Sequence, residues 1–413
     1  MNVQLKSSKV ASQSTIRVSG SKSETNRLLL LQALYPNLIL ENISNSDDSE
    51  VMLKALQSKP SFYPEHLDVH HAGTAMRFLT AYFAIQQGRE IVLTGSSRMK
   101  ERPIKILVDA LRQLGAEIGY EEKEGFPPIR IKGKRLSRNK ISLQANVSSQ
   151  YISALLLIAP KLEKGLALTL EGAITSVPYI NLTLALLNEI GIETSFLGNT
   201  ILVKPKFTIP DTQVIVVESD WSSASYFYSI IALSQVGTKI TLSSFKEDSL
   251  QGDSVLAEIY KEFGVETTFE NSSIVVAKVQ IVNPKSQFLN LNSAPDIAQT
   301  IVVTCFGLGI GCHLTGLHTL KIKETDRLQA LKNELEKLGA QVSIDDESLI
   351  LKSTVAINQD IEIKTYQDHR MAMAFAPLAL KTNIIIEDAT VVSKSYPAFW
   401  KDLKNIGFEI KEI

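Results

Sequence analysis

A strand-like phrase of eight residues recurs six times along the chain, and this long repeat constrains the fold more than any other feature. Each copy is rich in β-branched residues, alternates in character and ends in turn-forming residues, which is typical of a strand. The copies are residues 36–43, 88–95, 165–172, 237–244, 309–316 and 382–389. A helix-period phrase that ends in glycine follows five of them, and these glycines are Gly115, Gly191, Gly264, Gly339 and Gly407. Successive glycines are 76, 73, 75 and 68 residues apart, which is too long for a solenoid and predicts a repeated α+β subdomain.

Six such units suggest two domains of three units each, with the ligand in the cleft between them. No linker rich in Pro, Gly or Ser marks a boundary. The best candidates for chain crossings are residues 19–21 and 218–221, where strand-like sequence gives way to polar residues and a helix cap. If the chain crosses at both places, residues 1–20 and 219–413 form one domain and residues 21–218 form the other.

The charge of the chain excludes a general attraction to polyanions. The 413 residues carry a formal net charge of -1, so neither nucleic acid nor an anionic membrane is an expected partner. Residues 1–10 contain no apolar segment of signal-peptide length, and the apolar stretch 301–311 is too short to span a bilayer. We therefore expect a cytoplasmic protein that captures anions with local clusters. Cys305 and Cys312 belong to this apolar region, where buried structural thiols are expected rather than a disulfide or a metal pair.

Residues 20–27, GSKSETNR, form the clearest such cluster. Lys22, Arg27 and four hydroxyl or amide side chains lead directly into the apolar run 28–31. A glycine that allows close approach, a helix N-terminus and two cations together predict an anion site. The alternative is an ordinary helix capped by a hydroxyl, with solvated charges.

Other small or polar clusters precede apolar helical phrases in the first half of the chain. Each offers backbone N–H groups, hydroxyls or cations to an anion, although a capped helix or a solvated charge run explains any one of them alone. These clusters are AGTAMR (72–77), RMKERP (98–103), VSSQ (147–150) and SVPY (176–179).

The second half adds carboxylates to this pattern. Asp296 follows Pro295 at the start of an apolar helix, where a carboxylate is either a dipole partner or a general base. Helix spacing would pair Lys323 with Arg327 at i,i+4, which is unfavourable unless an anion lies between them. A lone His369 is a poor metal ligand, and no His or Cys spacing resembles a zinc site.

Taken together, the clusters resemble the 5-enolpyruvylshikimate-3-phosphate (EPSP) synthase family. Each motif alone is weak, but ten of them in the family's order along nearly the whole chain are specific. The matching segments are GSKSETNR, AGTAMR, RMKERP, VSSQ, SVPY, SDWSSASYF with LQGD, APD, KETDR, QDHRMAM and SKSYP. The resemblance implies an α+β fold of two similar domains, each with three βαβαββ units around a pseudo-threefold axis, an inside-out α/β barrel.

The resemblance also implies a reaction and its participants. Phosphoenolpyruvate and shikimate 3-phosphate would give 5-enolpyruvylshikimate 3-phosphate and phosphate by addition and elimination, without a metal or organic cofactor. The enzyme would act as a monomer in the shikimate pathway and would be the target of glyphosate. Asp296 would be the base that takes the hydroxyl proton and Glu324 the acid that protonates C3, with Lys22 assisting.

The family's binding residues can be carried over position by position. Those implied for shikimate 3-phosphate are Ser23, Arg27, Ser148, Ser149, Ser176, Tyr179, Asp296 and Lys323. Those implied for phosphoenolpyruvate are Lys22, Gly73, Arg102, Gln150, Arg327, Arg370 and Lys394.

Four positions depart from the family's usual pattern. His71 stands where Asn is usual, Phe78 where Pro is usual, Thr319 where Asn is frequent and Val177 where Lys is common. None removes a charged catalytic group, so we expect activity, with differences in phosphoenolpyruvate binding. The sister enolpyruvyl transferase that acts on UDP-N-acetylglucosamine is a rival, but it uses a loop cysteine. A non-enzymatic phosphometabolite-binding or scaffold protein is a second rival, which predicts damaged catalytic positions.

Overall fold

A computed structural model describes the chain except for residues 60–63, 145–147, 173, 175–176, 282–285 and 355. The backbone divides into two compact units. Unit 1 comprises Met1–Gly20 and Glu218–Ile413, and unit 2 comprises Ser21–Val217. The chain thus leaves unit 1 after its first two strands and returns to it at Glu218.

The described part of the chain contains thirteen α-helices. They are α1 (Lys22–Leu34), α2 (Asp47–Leu56), α3 (Gly73–Ala84), α4 (Ser97–Lys100), α5 (Lys105–Leu114), α6 (Ser149–Ile158), α7 (Val177–Glu189), α8 (Trp221–Leu233), α9 (Leu256–Ile259), α10 (Ala298–Leu308), α11 (Arg327–Lys337), α12 (His369–Phe375) and α13 (Phe399–Asn405).

Twenty-two short strands accompany these helices in the described residues. They are β1 (Val3–Leu5), β2 (Gln13–Ile16), β3 (Leu38–Glu41), β4 (Glu65–Asp68), β5 (Glu90–Thr94), β6 (Glu117–Tyr120), β7 (Ile129–Lys132), β8 (Lys140–Gln144), β9 (Leu166–Glu171), β10 (Thr194–Leu197), β11 (Thr200–Val203), β12 (Gln213–Val216), β13 (Lys239–Ser243), β14 (Val265–Glu270), β15 (Ser273–Lys278), β16 (Gln287–Asn290), β17 (Cys312–Thr315), β18 (Val342–Ile344), β19 (Leu349–Leu351), β20 (Ile361–Ile363), β21 (Ile384–Ile386) and β22 (Ile410–Glu412).

Each of the six strand-like phrases contains one strand that organises a sheet, namely β3, β5, β9, β13, β17 or β21. Each of these strands has a parallel neighbour, and all except β3 also have an antiparallel neighbour in a four-stranded sheet. In the described ranges β3 pairs only with β12. Three sheets belong to each unit. The predicted α+β class and its sixfold repetition are confirmed.

Helices that are buried on nearly every side lie at the centre of each unit. In unit 2, α1, α3 and α6 pack against one another, and in unit 1, α8, α10 and α12 do so. Nearly all residues of α3, α6, α8 and α10 are buried, because their sequences are apolar on all faces rather than along one stripe. The polar residues that precede them are therefore placed at the N-terminal ends of buried helices.

The structure confirms some local predictions and contradicts one. Gly115 ends α5 with φ 105°, a left-handed cap that favours glycine. The phrase before Gly264 was predicted as one helix, which is wrong, because α9 is followed by a 3₁₀ turn at Tyr260–Phe263. A 3₁₀ turn eclipses positions i and i+3, and both aromatic side chains are buried there. Cys305 and Cys312 are buried free thiols, as predicted.

Among the described residues, no helix combines the length and the apolar character needed to cross a bilayer.

Candidate active site

Four helices of unit 1 begin beside one cluster of charged side chains. Asp368 caps α12 by accepting a hydrogen bond from the Arg370 backbone N–H at 2.9 Å. Asp220 caps α8 and Asp326 caps α11 in the same way. Asp296 lies in a 3₁₀ turn directly before α10. Carboxylates are favoured at these positions because helix N-termini carry unpaired N–H groups and a partial positive charge.

The Arg327 guanidinium is the centre of the cluster. It donates to Asp296 Oδ1 at 2.9 Å, to Glu324 Oε2 at 2.9 Å and to Asp368 Oδ2 at 2.7 Å. Its side chain is only 2 % exposed. Burial alone lowers the pKa of this guanidinium, but the charges of Asp368, Glu324 and Asp296 raise it above its usual value. One charged arginine therefore joins the two carboxyls predicted to act as base and acid.

Two further cations contact Asp296. Lys323 Nζ lies 3.5 Å from Oδ1, and Arg370 Nη2 lies 3.3 Å from Oδ2. Arg370 also donates from Nη1 to the Asp296 carbonyl oxygen at 3.0 Å. Burial alone lowers the pKa of Arg370, whereas the Asp296 charge raises it well above its usual value. Both carboxyl oxygens of Asp296 thus face cations, which is the environment of an ionised carboxylate.

The predicted helical pairing of Lys323 with Arg327 is wrong. The helix starts only at Arg327, because Asp326 caps it by accepting from the Gln329 N–H at 3.1 Å. Lys323 lies before the helix, at the end of a 3₁₀ turn. The two cations still share an anion, since Asp296 Oδ1 contacts both. A carboxylate of the chain itself therefore relieves the repulsion that the sequence indicated.

Two buried carboxyls beside this cluster received no role from the sequence. Asp368 was part of the QDHR motif, and Asp253 was part of LQGD. Asp253 accepts a hydrogen bond from Ser222, and Ser222 Oγ accepts one from Arg370 Nη2 at 3.2 Å. Burial, and then the charge of Asp296, raises the pKa of Asp253 to about 6. Their motifs were the available signal, but a motif does not tell which of its side chains is buried against an arginine.

In unit 2, Gly73 begins α3 and lies against Arg102. A Cβ atom built on Gly73 would be 2.7 Å from Arg102 Nη1, so the absence of a side chain admits this guanidinium. Arg77 donates to the carbonyl oxygens of Gly73 and Pro103, each at 3.1 Å, and so ties the two segments together. Burial, and then the Arg102 charge, lowers the pKa of Arg77 to about 10. The AGTAMR and RMKERP motifs thus meet at one place.

The N-terminal ends of α3 and α6 are also joined. Gln150 Nε2 donates to Thr74 Oγ1 at 3.1 Å, and Ser148 caps α6 by accepting from the Gln150 N–H at 3.4 Å. Two helix N-termini beside Arg102 form a setting that favours an anion. Lys22, the first residue of α1, forms an ion pair with Asp48 at 3.4 Å. Asp48 lies in the first turn of α2, where nothing in the sequence distinguished it from a dipole partner.

Arg27 is more deeply buried than its predicted role suggested. It is 3 % exposed and donates to Thr183 Oγ1 at 2.8 Å and Ser153 Oγ at 2.9 Å. The guanidinium also lies over the Phe78 ring, 5.4 Å from its centroid. Burial lowers the pKa of Arg27 to about 10. In this conformation the side chain fastens α1 to α6 and α7, and its contact with shikimate 3-phosphate stays a prediction.

The other predicted residues are distributed as follows. Ser23 and Ser149 lie in the first turns of α1 and α6, and Tyr179 lies in the first turn of α7. Lys394 donates to the Gln367 carbonyl oxygen at 2.7 Å, in the turn before α12. Ser176 lies outside the described residues. No group of three or more His, Cys, Asp or Glu side chains that could hold a metal occurs in the part of the chain that the structure describes.

Three of the residues that depart from the family pattern, His71, Val177 and Thr319, have different surroundings. His71 Nδ1 lies 2.9 Å from Ser96 Oγ, and Ser96 caps α4 in the RMKERP region. Val177 begins α7 and is exposed. The Thr319 hydroxyl is buried without a hydrogen-bond partner among the described residues. His71 is therefore linked to the segment that carries Arg102.

Comparisons with known proteins agree with one another. A sequence model of the family described as EPSP synthase (3-phosphoshikimate 1-carboxyvinyltransferase) matches residues 57–403. The 3-phosphoshikimate 1-carboxyvinyltransferase of Bacteroides fragilis strain YCH46 is 47% identical over 408 residues, which cover 97% of this chain and 96% of the relative. The enzyme of the same name from Pasteurella multocida strain Pm70 is 37% identical, with 93% of each chain covered.

Solved structures support the fold. An EPSP synthase from Acinetobacter baumannii superposes with a TM-score of 0.80 at 22% identity and 100% coverage of both chains. The enolpyruvyl transferase NikO from Streptomyces tendae has a TM-score of 0.75 at 14% identity, covering 99% of this chain and 98% of its own. The predicted two-domain enolpyruvyl transferase fold is thus confirmed.

Proposed function

Because the chain belongs to the EPSP synthase (3-phosphoshikimate 1-carboxyvinyltransferase) family, we propose that it transfers the enolpyruvyl group of phosphoenolpyruvate to the 5-hydroxyl of shikimate 3-phosphate and releases phosphate. This is a step of the shikimate pathway to aromatic amino acids. The observation that carries the proposal at the level of residues is the Arg327-centred cluster. It joins a candidate base and a candidate acid through one buried cation.

The two substrates require many cations. A phosphate carries about -1.5 to -2 charges at pH 7, and each substrate adds a carboxylate, so roughly five negative charges must be held. Phosphoenolpyruvate is assigned to Lys22, Gly73, Arg102, Gln150, Arg327, Arg370 and Lys394. Shikimate 3-phosphate is assigned to Ser23, Arg27, Ser148, Ser149, Ser176, Tyr179, Asp296 and Lys323. All of these residues belong to one chain, and we propose that the monomer is the active form.

The proposed chemistry is an addition followed by an elimination. Asp296 accepts the proton of the 5-hydroxyl group while the hydroxyl oxygen attacks C2 of phosphoenolpyruvate. Glu324 delivers a proton to C3. The tetrahedral intermediate then loses phosphate from C2 and a proton from C3, which restores the double bond. Arginines and Lys22 stabilise the charge that develops on the departing phosphate.

The electrostatic setting of Asp296 supports its role as the base. Arg327, Lys323 and Arg370 all contact Asp296, and Arg327 also contacts Glu324. Three cations around Asp296 favour its ionised form, which is the form that a general base needs. One carboxylate and one carboxylic acid are the pair that the addition step needs.

The acceptor is the point at which the rival transferase differs. The sister reaction uses UDP-N-acetylglucosamine and a loop cysteine, whereas both cysteines here are buried in unit 1, in or beside α10 and β17. We expect phosphate release from phosphoenolpyruvate with shikimate 3-phosphate and none with UDP-N-acetylglucosamine, in a coupled phosphate assay with each acceptor in turn. Phosphate release that depends on UDP-N-acetylglucosamine would refute the proposal. So would the absence of phosphate release with both acceptors.

A further inference from the structure

The turn before α12 has an unusual backbone. Tyr366 and Gln367 are consecutive residues with φ 53° and φ 56°. Positive φ is disfavoured for residues with a Cβ atom, and two in succession persist only when their surroundings hold them. Asp368 and Arg370 follow directly, so the conformation of this turn determines where the charged end of α12 lies.

Glu334 holds this turn through hydrogen bonds from the Tyr366 hydroxyl and the Lys364 backbone N–H. The carboxyl is buried at 1 % exposure on α11, the helix that begins with Arg327. Tyr366 Oη donates to Glu334 Oε1 at 2.6 Å, and the Lys364 backbone N–H donates to Oε2 at 3.0 Å. Lys337 pairs with the same oxygen. Burial, and then the Glu334 carboxylate, raises the pKa of Tyr366, so the phenol keeps the proton that it donates.

The other side of the turn faces the charged cluster. The Gln367 carbonyl oxygen accepts from Lys394 Nζ at 2.7 Å. Asp368 accepts from the Arg370 backbone N–H at 2.9 Å and from Arg327 Nε at 2.7 Å. The turn therefore contacts Lys394 through a carbonyl oxygen, and it leads into Arg370 and into Asp368, which accepts from Arg327.

We propose that Glu334 is a positioning residue for the phosphoenolpyruvate side of the site, and that it acts through Tyr366 and the left-handed turn on Lys394 and Arg370. The inference rests on the proposed function, because that function assigns these two cations to phosphoenolpyruvate. Helix α11 then supplies Arg327 in its first turn and, two turns later, the Glu334 carboxylate that positions Lys394 and Arg370.

Three variants separate positioning from simple fastening. Tyr366→Phe removes one hydroxyl and keeps the ring. Glu334→Gln places an amide N–H₂ among groups that are themselves donors, so it is the more severe change. Glu336→Gln is the matched control, since it lies two residues along the same helix, is exposed and pairs only with Lys332 at 3.9 Å among the described residues.

We expect Tyr366→Phe to raise the KM for phosphoenolpyruvate by about tenfold, while the KM for shikimate 3-phosphate changes by less than about twofold. Glu334→Gln should exceed this, and Glu336→Gln should match the wild type. Adding Gln367→Gly to Tyr366→Phe should recover part of the lost phosphoenolpyruvate affinity, because glycine removes the strain at one of the two left-handed positions.

The inference is overturned if Tyr366→Phe leaves the KM for phosphoenolpyruvate unchanged, if both KM values rise together, or if Gln367→Gly gives no recovery. A wild-type protein that releases no phosphate would refute the proposed function instead, so the two failures are distinguished by the wild type alone. Melting temperatures of all variants at one pH separate a loss of folded protein from a loss of affinity, because unfolding lowers kcat without a selective change in one KM.

Discussion

At the scale of single residues, the proposed chemistry depends on Asp296 and Glu324, which both accept hydrogen bonds from Arg327. We expect Asp296→Asn to lower kcat by about 10²-fold or more, the usual effect of removing a general base, and to leave shikimate 3-phosphate binding within about an order of magnitude. Glu324→Gln should lower kcat similarly through the protonation step. Steady-state kinetics with calorimetric binding measures both. Near wild-type kcat in either variant would remove that residue from its role.

Asp253 allows a residue-scale prediction about pH and stability. Burial raises its pKa from 3.8 to about 6, so the native state holds a proton that the unfolded state has lost between these values. The Asp253 contribution to the free energy of unfolding therefore falls as pH rises through this window, by at most about 3 kcal/mol. Asp253→Asn should stabilise the protein relative to wild type above about pH 6 and much less near pH 4. Urea denaturation at both pH values measures this, and an equal effect at both would contradict it.

The sequence predicted the cations of the site better than the carboxylates that accompany them. Lys22, Arg102, Arg327 and Arg370 stand in motifs whose residue types already suggest an anion site. Asp48 and Asp253 could not be recognised, because their importance arises from contacts with residues distant in sequence. Arg27 shows the converse, since its burial against Thr183 and Ser153 depends on how three helices pack. Long-range packing of this kind leaves no local pattern.

At the scale of elements, the repeat determined most of the fold. Alternation predicted the six sheet-forming strands, and glycine stops predicted the helices that precede Gly115, Gly191, Gly339 and Gly407, because both signals are local. The local signals failed where tertiary contacts decide the backbone. The predicted helix before Gly264 ends in a 3₁₀ turn at Tyr260–Phe263, where both aromatic side chains are buried, and α11 begins only at Arg327, with Asp326 as its N-cap. Pairing of β3 with β12, 172 or more residues later, likewise has no local signal.

The N-terminus of α3 carries an element-scale prediction. A methyl group at Gly73 would meet Arg102 Nη1 at 2.7 Å and would displace a flexible guanidinium rather than backbone. Glyphosate is a longer anion than phosphoenolpyruvate, so Gly73→Ala should raise its inhibition constant more than the KM for phosphoenolpyruvate, by about 1–3 kcal/mol. Glyphosate should inhibit the wild type, in which Gly73 is intact, in competition with phosphoenolpyruvate. If the ratio of the inhibition constant to the KM for phosphoenolpyruvate does not rise in the variant, Gly73 does not line the phosphoenolpyruvate site.

At the scale of the whole molecule, the residues proposed to bind each substrate come from both units. Shikimate 3-phosphate is assigned to Ser149 in unit 2 and Lys323 in unit 1, for example. A ligand that binds both units favours conformations in which they are close together. We expect the radius of gyration from small-angle scattering to fall when shikimate 3-phosphate and a phosphoenolpyruvate analogue saturate the protein. An unchanged radius would argue against closure.

The central claim is that the enolpyruvyl group is transferred and not hydrolysed. The most direct test incubates the protein with both substrates in deuterium oxide and identifies the products by mass spectrometry and proton NMR. We predict one phosphate for each molecule of the enolpyruvyl ether of shikimate 3-phosphate, with deuterium in its methylene group, because C3 is protonated and then deprotonated during addition and elimination. Phosphate with pyruvate and unchanged shikimate 3-phosphate, or an ether without deuterium, would contradict the account.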